Sequence, residues 1–343
     1  MLAKSIVVLI GTLVALGFSE LAMRVLVHEQ QLYEMNEDAY WKLLLARSVG
    51  VEHPPLKDIQ PDPLLGWRMK ANYDVGGVHH NSRGYRDRRE FDESHVGSRI
   101  LSIGASMTYG LGVDEKDTMT ALLEASSGVQ TINAGVNAYG ADQALLLFEE
   151  DGRRLHPDIV VFVYHVDDFY RNGLTVRDLP KPHFAFESGE YRLAGVPVPA
   201  VESLAASGGL DIGPHLRIQE ALAWFYRRAS RKFRGDDLEP LQRLRNLNVY
   251  VLQRMRDSVR EAGARLLVVI SGHCVDGISD YVASERAIAE ACQSLGIDVI
   301  DLAAVMREGD YSAGFGENCH WSKPGHALAA EKVSAKLGLP HGG

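Results

Sequence analysis

R-I-L-S-I-G-A-S-M-T-Y-G, from Arg99 to Gly110, is the stretch on which the reading of this chain turns. Arg99 to Ile103 is a short, mostly apolar run of the kind that makes a strand buried in a parallel sheet. Gly104 follows at once, with Ser106, Thr108 and Gly110 close behind. A strand that breaks at glycine and feeds a helix puts Ser106 at the carboxyl edge of the sheet. Ligands bind at that edge in open α/β folds, and a helix N-terminus there offers free N–H groups. Taken alone, the stretch is equally a plain Gly/Ser turn, so the rest of the chain has to decide.

Downstream the pattern alternates between strand and helix. Thr118 to Ser126 reads as a helix, Val129 to Asn133 as a strand, and Ala134 to Gly140 as a Gly-bearing loop. Ala141 to Leu155 has helical periodicity, with Leu145, Leu146 and Phe148 on one face. Asp158 to Tyr164 (D-I-V-V-F-V-Y) is the strongest strand signal in the chain. Glu239 to Ala262 is a long amphipathic helix ended by Gly263, and Arg265 to Ser271 is another strand. Ser279 to Leu295, Ile297 to Asp301 and Lys323 to Leu337 read as helix, strand and helix. Strands joined by helical crossovers predict a doubly wound, flavodoxin-like α/β fold with a five-stranded parallel sheet.

Two regions break the alternation. From His28 to Gly97 there is an amphipathic helical pattern within Glu34 to Val49, then turns and extended pieces, and a polar loop around His79 and His80. No carboxylate or cysteine lies at ligand spacing from those histidines, so no metal is expected there. Between Asn172 and Gly235 the chain reads as an insertion above the strand C-termini, ending in a basic helix around Ala221 to Phe233. Its run Arg227-Arg228 and Arg231-Lys232-Phe233-Arg234 reads first as a solvated face. Contact with anionic lipid headgroups or a polyanionic glycan is the alternative.

Composition narrows the function. The 343 residues are 46% hydrophobic and 24% charged, an ordinary globular balance. A net charge of -9 lacks the basic footprint of a nucleic-acid binder, so no nucleic-acid partner is expected. Ser5 to Ser19 is an uncharged, mostly aliphatic run after Lys4. It spans only about 22 Å as a helix, but reaches membrane length when continued to Val27. An uncleaved signal anchor is the reading preferred here, with a cleaved signal peptide or a buried helix as alternatives. Lys4 would then stay in the cytoplasm and the bulk of the chain would lie outside. Of the three cysteines, Cys274 and Cys292 read as two buried free thiols, with a disulfide between them as the alternative if the domain is exported.

A second chemical cluster lies after the last strand: Gly316-Glu317-Asn318-Cys319-His320-Trp321-Ser322-Lys323-Pro324-Gly325-His326. An acyl-transferring serine needs a neutral imidazole within hydrogen-bond reach and a carboxylate to hold its tautomer. Glu317 and His320 are close enough in sequence for one loop to aim both at Ser106. His326, beside Gly325, reads as a helix packing residue.

These pieces resemble a family. G-A-S-M-T-Y-G at Gly104 to Gly110 is similar to the first block (GDSxTxG) of SGNH/GDSL hydrolases, and E-N-C-H at Glu317 to His320 to their last (DxxH). Asn133 to Gly140 resembles the second block, and Y-H-V-D-D-F at Tyr164 to Phe169 stands where GxND belongs. Pro61 to Trp67 and Asn81 to Asp87 look like a leader found in membrane-anchored bacterial members. The resemblance covers roughly residues 60–338. With the apolar N-terminal run, this divides the chain into a signal anchor or transmembrane helix over 1–27, an extension over 28–97 packed on the catalytic domain, and an SGNH-like catalytic domain over 98–340 with an insertion at about 172–235.

The resemblance further implies that Ser106 is the nucleophile, His320 the general base and acid, and Glu317 the group that orients it. No cofactor or metal is implied. Ser106 N–H, Ala138 N–H and the side chain at Asp167 would form the oxyanion hole. Four positions depart from the family pattern. Ala105 replaces an Asp and costs a supporting hydrogen bond. Ala138 replaces a Gly, and its N–H is expected to serve if its φ is negative. Glu317 is one methylene longer than Asp. Asp167 replaces the Asn donor, and an ionised carboxylate cannot donate to an oxyanion. A serine esterase acting on acyl esters, with O-acetyl groups of an envelope glycan or lipid as candidates, is the function implied. An O-acyltransferase on an exported polysaccharide, or a binding protein impaired through Asp167, are the alternatives.

Overall fold

The computed structural model describes residues 2–27, 37–49, 57–210, 216–234, 238–275, 278–309, 312–316 and 319–339. The chain divides into two compact units, one of Met1–Val51 with Val201–Gln242, the other of Glu52–Ala200 with Arg243–Gly343.

In chain order the helices are α1 (Leu2–Leu26), α2 (Asp38–Ser48), α3 (Ser106–Tyr109), α4 (Met119–Ser127), α5 (Ala141–Glu150) and α6 (Asp168–Arg171). They continue with α7 (Val201–Ala206), α8 (Arg217–Arg234), α9 (Leu238–Glu261), α10 (Ser279–Ser294), α11 (Leu302–Arg307) and α12 (Lys323–Leu337). The main sheet is built from β1 (Arg99–Gly104), β2 (Gln130–Gly135), β3 (Ile159–His165), β4 (Arg265–Ser271) and β5 (Asp298–Asp301). Its strand order is β5-β4-β3-β1-β2, and every neighbouring pair is parallel. This is the flavodoxin-like order, so the doubly wound five-stranded fold expected from the sequence is the fold observed.

The crossover hand explains how the helices are layered. The step from β1 to β2 runs one way along the sheet, and each later step runs the other way. Right-handed connections therefore put α4 on one face and α5, α9 and α10 on the opposite face. The core divides accordingly. Leu101, Ile103, Phe162, Val268 and Ile270 pack with Leu145, Leu252, Met255 and Ile288. Ile100, Val161, Val163, Leu267 and Val269 pack with Met119, Leu123, Ala329 and Val333. Adjacent residues of one strand thus serve opposite cores, which is why the strands read as continuous apolar runs. The direction reverses between β1 and β3, and the carboxyl ends of those strands open the crevice where this fold binds ligands.

Boundaries differ little from the sequence reading. The helix expected over Ala141 to Leu155 ends at Glu150 and passes into a 3₁₀ turn, Gly152–Leu155. Short hairpins not foreseen pair Ile59–Asp62 with Gly66–Met69 and His183–Glu187 with Glu190–Ala194. The segment before the sheet is bound to it by buried polar groups. Trp67 Nε1 donates to Asn137 O at 2.9 Å, and Tyr85 Oη donates to Asp151 Oδ2 at 2.8 Å.

In the other unit, α1 contains the span Lys4–Leu26, long and apolar enough to cross a membrane and unburied.

Candidate active site

Strand β1 ends at Gly104, whose φ of 143° suits glycine alone. A Cβ there would lie 2.5 Å from Thr108 Oγ1 and 2.6 Å from Val163 O. The tight turn lets Ala105 cap α3 and makes Ser106 its first residue. Gly110 closes α3 in the left-handed conformation, its N–H donating to Ser106 O at 2.9 Å. The end of β2 presses on this short helix. A Cβ on Gly135 would fall 2.2 Å from Tyr109 N, so only glycine permits the approach.

Arg86 clamps the far side of the same helix. Its guanidinium donates to Tyr109 O at 2.8 Å, to Gly110 O at 2.5 Å and to Val113 O at 2.7 Å. It is buried, and burial holds its pKa below the ordinary arginine value. In the sequence Arg86 stands in the leader motif without a role. Three carbonyls converging on one buried cation explain the residue type.

His320 comes from the loop before α12. Its Nε2 lies 2.9 Å from Ser106 Oγ, a hydrogen bond between residues 214 apart in sequence. Three contacts hold that loop. Phe315 and Trp321 form an antiparallel bridge, and Gly316 N–H donates to His320 O at 2.8 Å. Trp321 N–H donates to Met107 Sδ at 3.3 Å, which ties the histidine's neighbour to the serine's neighbour. Glu317, expected to orient His320, lies outside the described residues. His326 is buried in α12, accepts from Met119 N–H at 3.1 Å and lies edge-on to Trp321.

The cysteines correct the sequence reading. Cys274 does not pair with Cys292, and it is not a free thiol: it is joined to Cys319, with Cα atoms 4.7 Å apart. Cys292 faces inward from α10 and is fully buried, which pushes its thiol up to about 12. Cys274 follows β4 at the carboxyl edge, the same edge that the loop of His320 occupies. The sequence signal for the pair is that both cysteines stand at this edge, as Ser106 does.

Ala138 has φ 65°, so the negative φ set as the condition for its N–H is not met. It is the third residue of a turn in which Tyr139 N–H donates to Val136 O at 3.3 Å, a position that needs positive φ. The chain therefore keeps glycine's conformation at an alanine, at a strain of about 1 kcal/mol. Trp67 and Tyr139, their rings 5.5 Å apart, pack beneath this turn.

Asp167 follows β3. Its Oδ2 lies 3.1 Å from Arg171 Nη2 and 3.7 Å from His165 Nδ1. Burial works to raise its pKa, but the charges of His165, Arg171, His273 and Arg177 overcome this and hold it below the ordinary value. His165 is itself driven down to about 4 by burial and is neutral at pH 7, so the arginines supply that charge. Its Nδ1 accepts from Asp167 N–H at 3.2 Å. Asp167 is thus an ionised acceptor, and the protonated donor that the family role would require is absent. Beside it, buried Asp168 is pushed up to about 7 by desolvation. Tyr281 hydrogen-bonds Asp167 and stacks on His273 with ring centroids 4.5 Å apart. Neither residue carried a signal in the sequence.

No protein-family model and no curated protein sequence matches this chain. Among solved structures, the chain is similar to a protein assigned to the G-D-S-L lipolytic family from Desulfitobacterium hafniense, at 14% identity and a TM-score of 0.43. That alignment covers 70% of this chain and 99% of the other. It is also similar to a catalytic variant of an acetylxylan esterase from Geobacillus stearothermophilus, at 13% identity and a TM-score of 0.43, over 71% of this chain and 96% of that one. An alpha/beta hydrolase from the metagenome of Lake Arreo gives 12% identity and a TM-score of 0.44, over 73% and 99%. The likeness is one of fold, and the chemistry has to be argued from the residues above.

Proposed function

We propose that this chain is a serine-dependent ester hydrolase of the SGNH/GDSL type. The observation that carries the reading is the 2.9 Å hydrogen bond from Ser106 Oγ to His320 Nε2 at the carboxyl edge of the sheet. Ser106 Oγ attacks the acyl carbon while His320 Nε2 takes its proton. The oxyanion that forms is met by the N–H of Ser106, the first residue of α3, and by the N–H of Ala138, which serves at positive φ because the alanine keeps the conformation of the glycine it replaces. Collapse expels the alcohol, which receives the proton from His320, and leaves an acyl group on Ser106. Water activated by His320 then releases the acid and restores the serine. Glu317 is assigned to hold His320 Nδ1–H, the role that the last block implies.

Asp167 bears on the alternative of a binding protein impaired at this position, and argues for a slowed enzyme instead. The hole has two backbone donors, and an anion stands where the third donor belongs. One missing donor costs about 10²–10³ in rate, which lowers turnover without abolishing it. Arg171 at 3.1 Å offsets much of the negative charge.

We read α1 as an uncleaved anchor with the catalytic unit on the extracytoplasmic side. The Cys274–Cys319 disulfide supports that side, since such bonds persist in oxidising compartments. An anchored esterase there meets O-acyl groups of envelope glycans or lipids. Hydrolysis of aryl esters of increasing acyl length tests the assignment. Short-chain turnover lost in Ser106→Ala is expected, and a variant as active as the parent chain overturns it. Adding an acceptor glycan separates hydrolysis from transfer: acceptor that stays unacylated supports the hydrolase.

A further inference from the structure

Helix α8 (Arg217–Arg234) belongs to the same compact unit as α1 and has no part in the site described above. Its sequence divides cleanly by helical register. Ile218, Leu222, Phe225, Tyr226, Ala229 and Phe233 fall within one arc of about 100°. Arg217, Arg227, Arg228, Arg231 and Arg234 fall on the opposite half. The side chains at 227, 228 and 231–234 lie outside the described residues, so their placement here is by register alone. On the apolar arc, Leu222, Phe225 and Tyr226 are 65%, 66% and 68% exposed. Three large apolar side chains at i, i+3 and i+4 are left uncovered on a strongly basic helix.

A second observation says what covers them. Glu20, on the last two turns of α1, caps α8. Its carboxylate accepts from Arg217 N–H at 2.9 Å and Ile218 N–H at 3.1 Å, and from Arg24 Nε at 2.6 Å. Six residues separate Glu20 from the end of the apolar span at Leu26, about 9 Å along the axis. Interfacial helices lie with their apolar face about 5–10 Å into the headgroup and acyl boundary. The clasp therefore starts α8 at the depth where an amphipathic helix rests.

We infer that α8 is an in-plane membrane helix that sinks Leu222, Phe225 and Tyr226 into the lipid boundary and sets its arginines against anionic headgroups. The inference rests on reading α1 as a membrane anchor. Its consequence is a second attachment beside the anchor, sensitive to lipid charge. Polybasic segments are attracted to anionic membrane surfaces, so several arginines are enough to govern the attachment.

The test uses the full chain in vesicles, with single cysteines introduced for spin labels. Cys292 is buried and Cys274 is paired with Cys319, so an introduced thiol is labelled selectively. Labels at Leu222→Cys, Phe225→Cys, Ala223→Cys and Val14→Cys are read for oxygen against nickel-chelate accessibility. In phosphatidylcholine mixed with phosphatidylglycerol, labels at 222 and 225 should show a ratio about 10-fold above that at 223. In phosphatidylcholine alone, or in Arg227→Glu/Arg231→Glu, that contrast should vanish. A label at 14 in hydrocarbon with 222 and 225 open to water in both lipids overturns the inference. So does equal protection of 222 and 225 with and without anionic lipid, which would indicate a protein cover. If the label at 14 is open to water, the anchor reading itself fails, and the inference falls with it.

Discussion

Replacing Asp167 with asparagine should make this enzyme faster. At pH 7 the Asp167 carboxyl is ionised, held below its ordinary pKa by the arginines around it. The substitution does two things. On the proposed assignment it removes a negative charge from beside the oxyanion, an unfavourable Coulomb term that the paired Arg171 partly cancels. It also supplies an N–H donor, worth about 2.7–4 kcal/mol where the geometry is good. Taking the low end, because the amide must share its orientation with Arg171, kcat should rise about 10²-fold with little change in KM. The fold should tolerate the exchange. Arg171 keeps Asp168 Oδ1 at 3.3 Å and Tyr139 O at 3.2 Å. The assay is steady-state hydrolysis of an aryl acetate at neutral pH, with Asp167→Ala as the control that removes charge without adding a donor. Asparagine faster than alanine, and alanine faster than aspartate, is the expected order. An asparagine variant no faster than the parent chain would refute the reasoning and assign the carboxylate another task, with Tyr281 and His273 the partners to examine.

Three further outcomes follow from the same geometry. Cys274→Ser should slow turnover and destabilise the protein by about 4 kcal/mol in the chain-entropy limit, since the bond closes a loop of 45 residues beside His320; denaturant midpoints with and without reductant check this, and coincident midpoints contradict it. Arg86→Met should lower kcat more than it raises KM and cost about 1–3 kcal/mol, because carbonyls of the Ser106 turn lose a buried charged donor; a stable variant with normal kcat contradicts the clamp. Stability should also depend on pH in a defined sense. Buried Asp168, raised to about 7, favours the fold at low pH and loses that contribution as pH rises from its ordinary value toward 7. His165 and His326, each lowered to about 4, act oppositely and lose stability as pH falls below about 6.5. Asp168 thus opposes the two histidines between about pH 4.5 and 6.5, and Asp168→Asn should make stability rise more steeply there, by up to about 1.4 kcal/mol per unit relative to the parent chain. An unchanged slope in the variant contradicts the assignment.

The fold was legible because its strands serve two cores and so read as unbroken apolar runs. Arg265 to Ser271 is foreseen to the residue for that reason. Ser106 and His320 were legible through local chemistry: a glycine-broken strand for one, a histidine after the last strand for the other. What escaped notice was set by contacts distant in sequence. Arg86 reads as one arginine among several until Tyr109, Gly110 and Val113 present their carbonyls to it. The sign of φ at Ala138 depends on a turn closed by Tyr139, and alanine in sequence suggests the opposite. The protonation of Asp167 depended on residues contributed by three separate segments, so only the assembled site could decide it.

Whether Ser106 is a nucleophile activated by His320 is decided by fluorophosphonate labelling followed by mass spectrometry of the modified peptide. One phosphonyl group per chain on Ser106 is expected, with none on Ser106→Ala and labelling slowed by about 10³-fold or more in His320→Ala. A wild-type chain that takes no label, or takes it on another residue, would contradict that role.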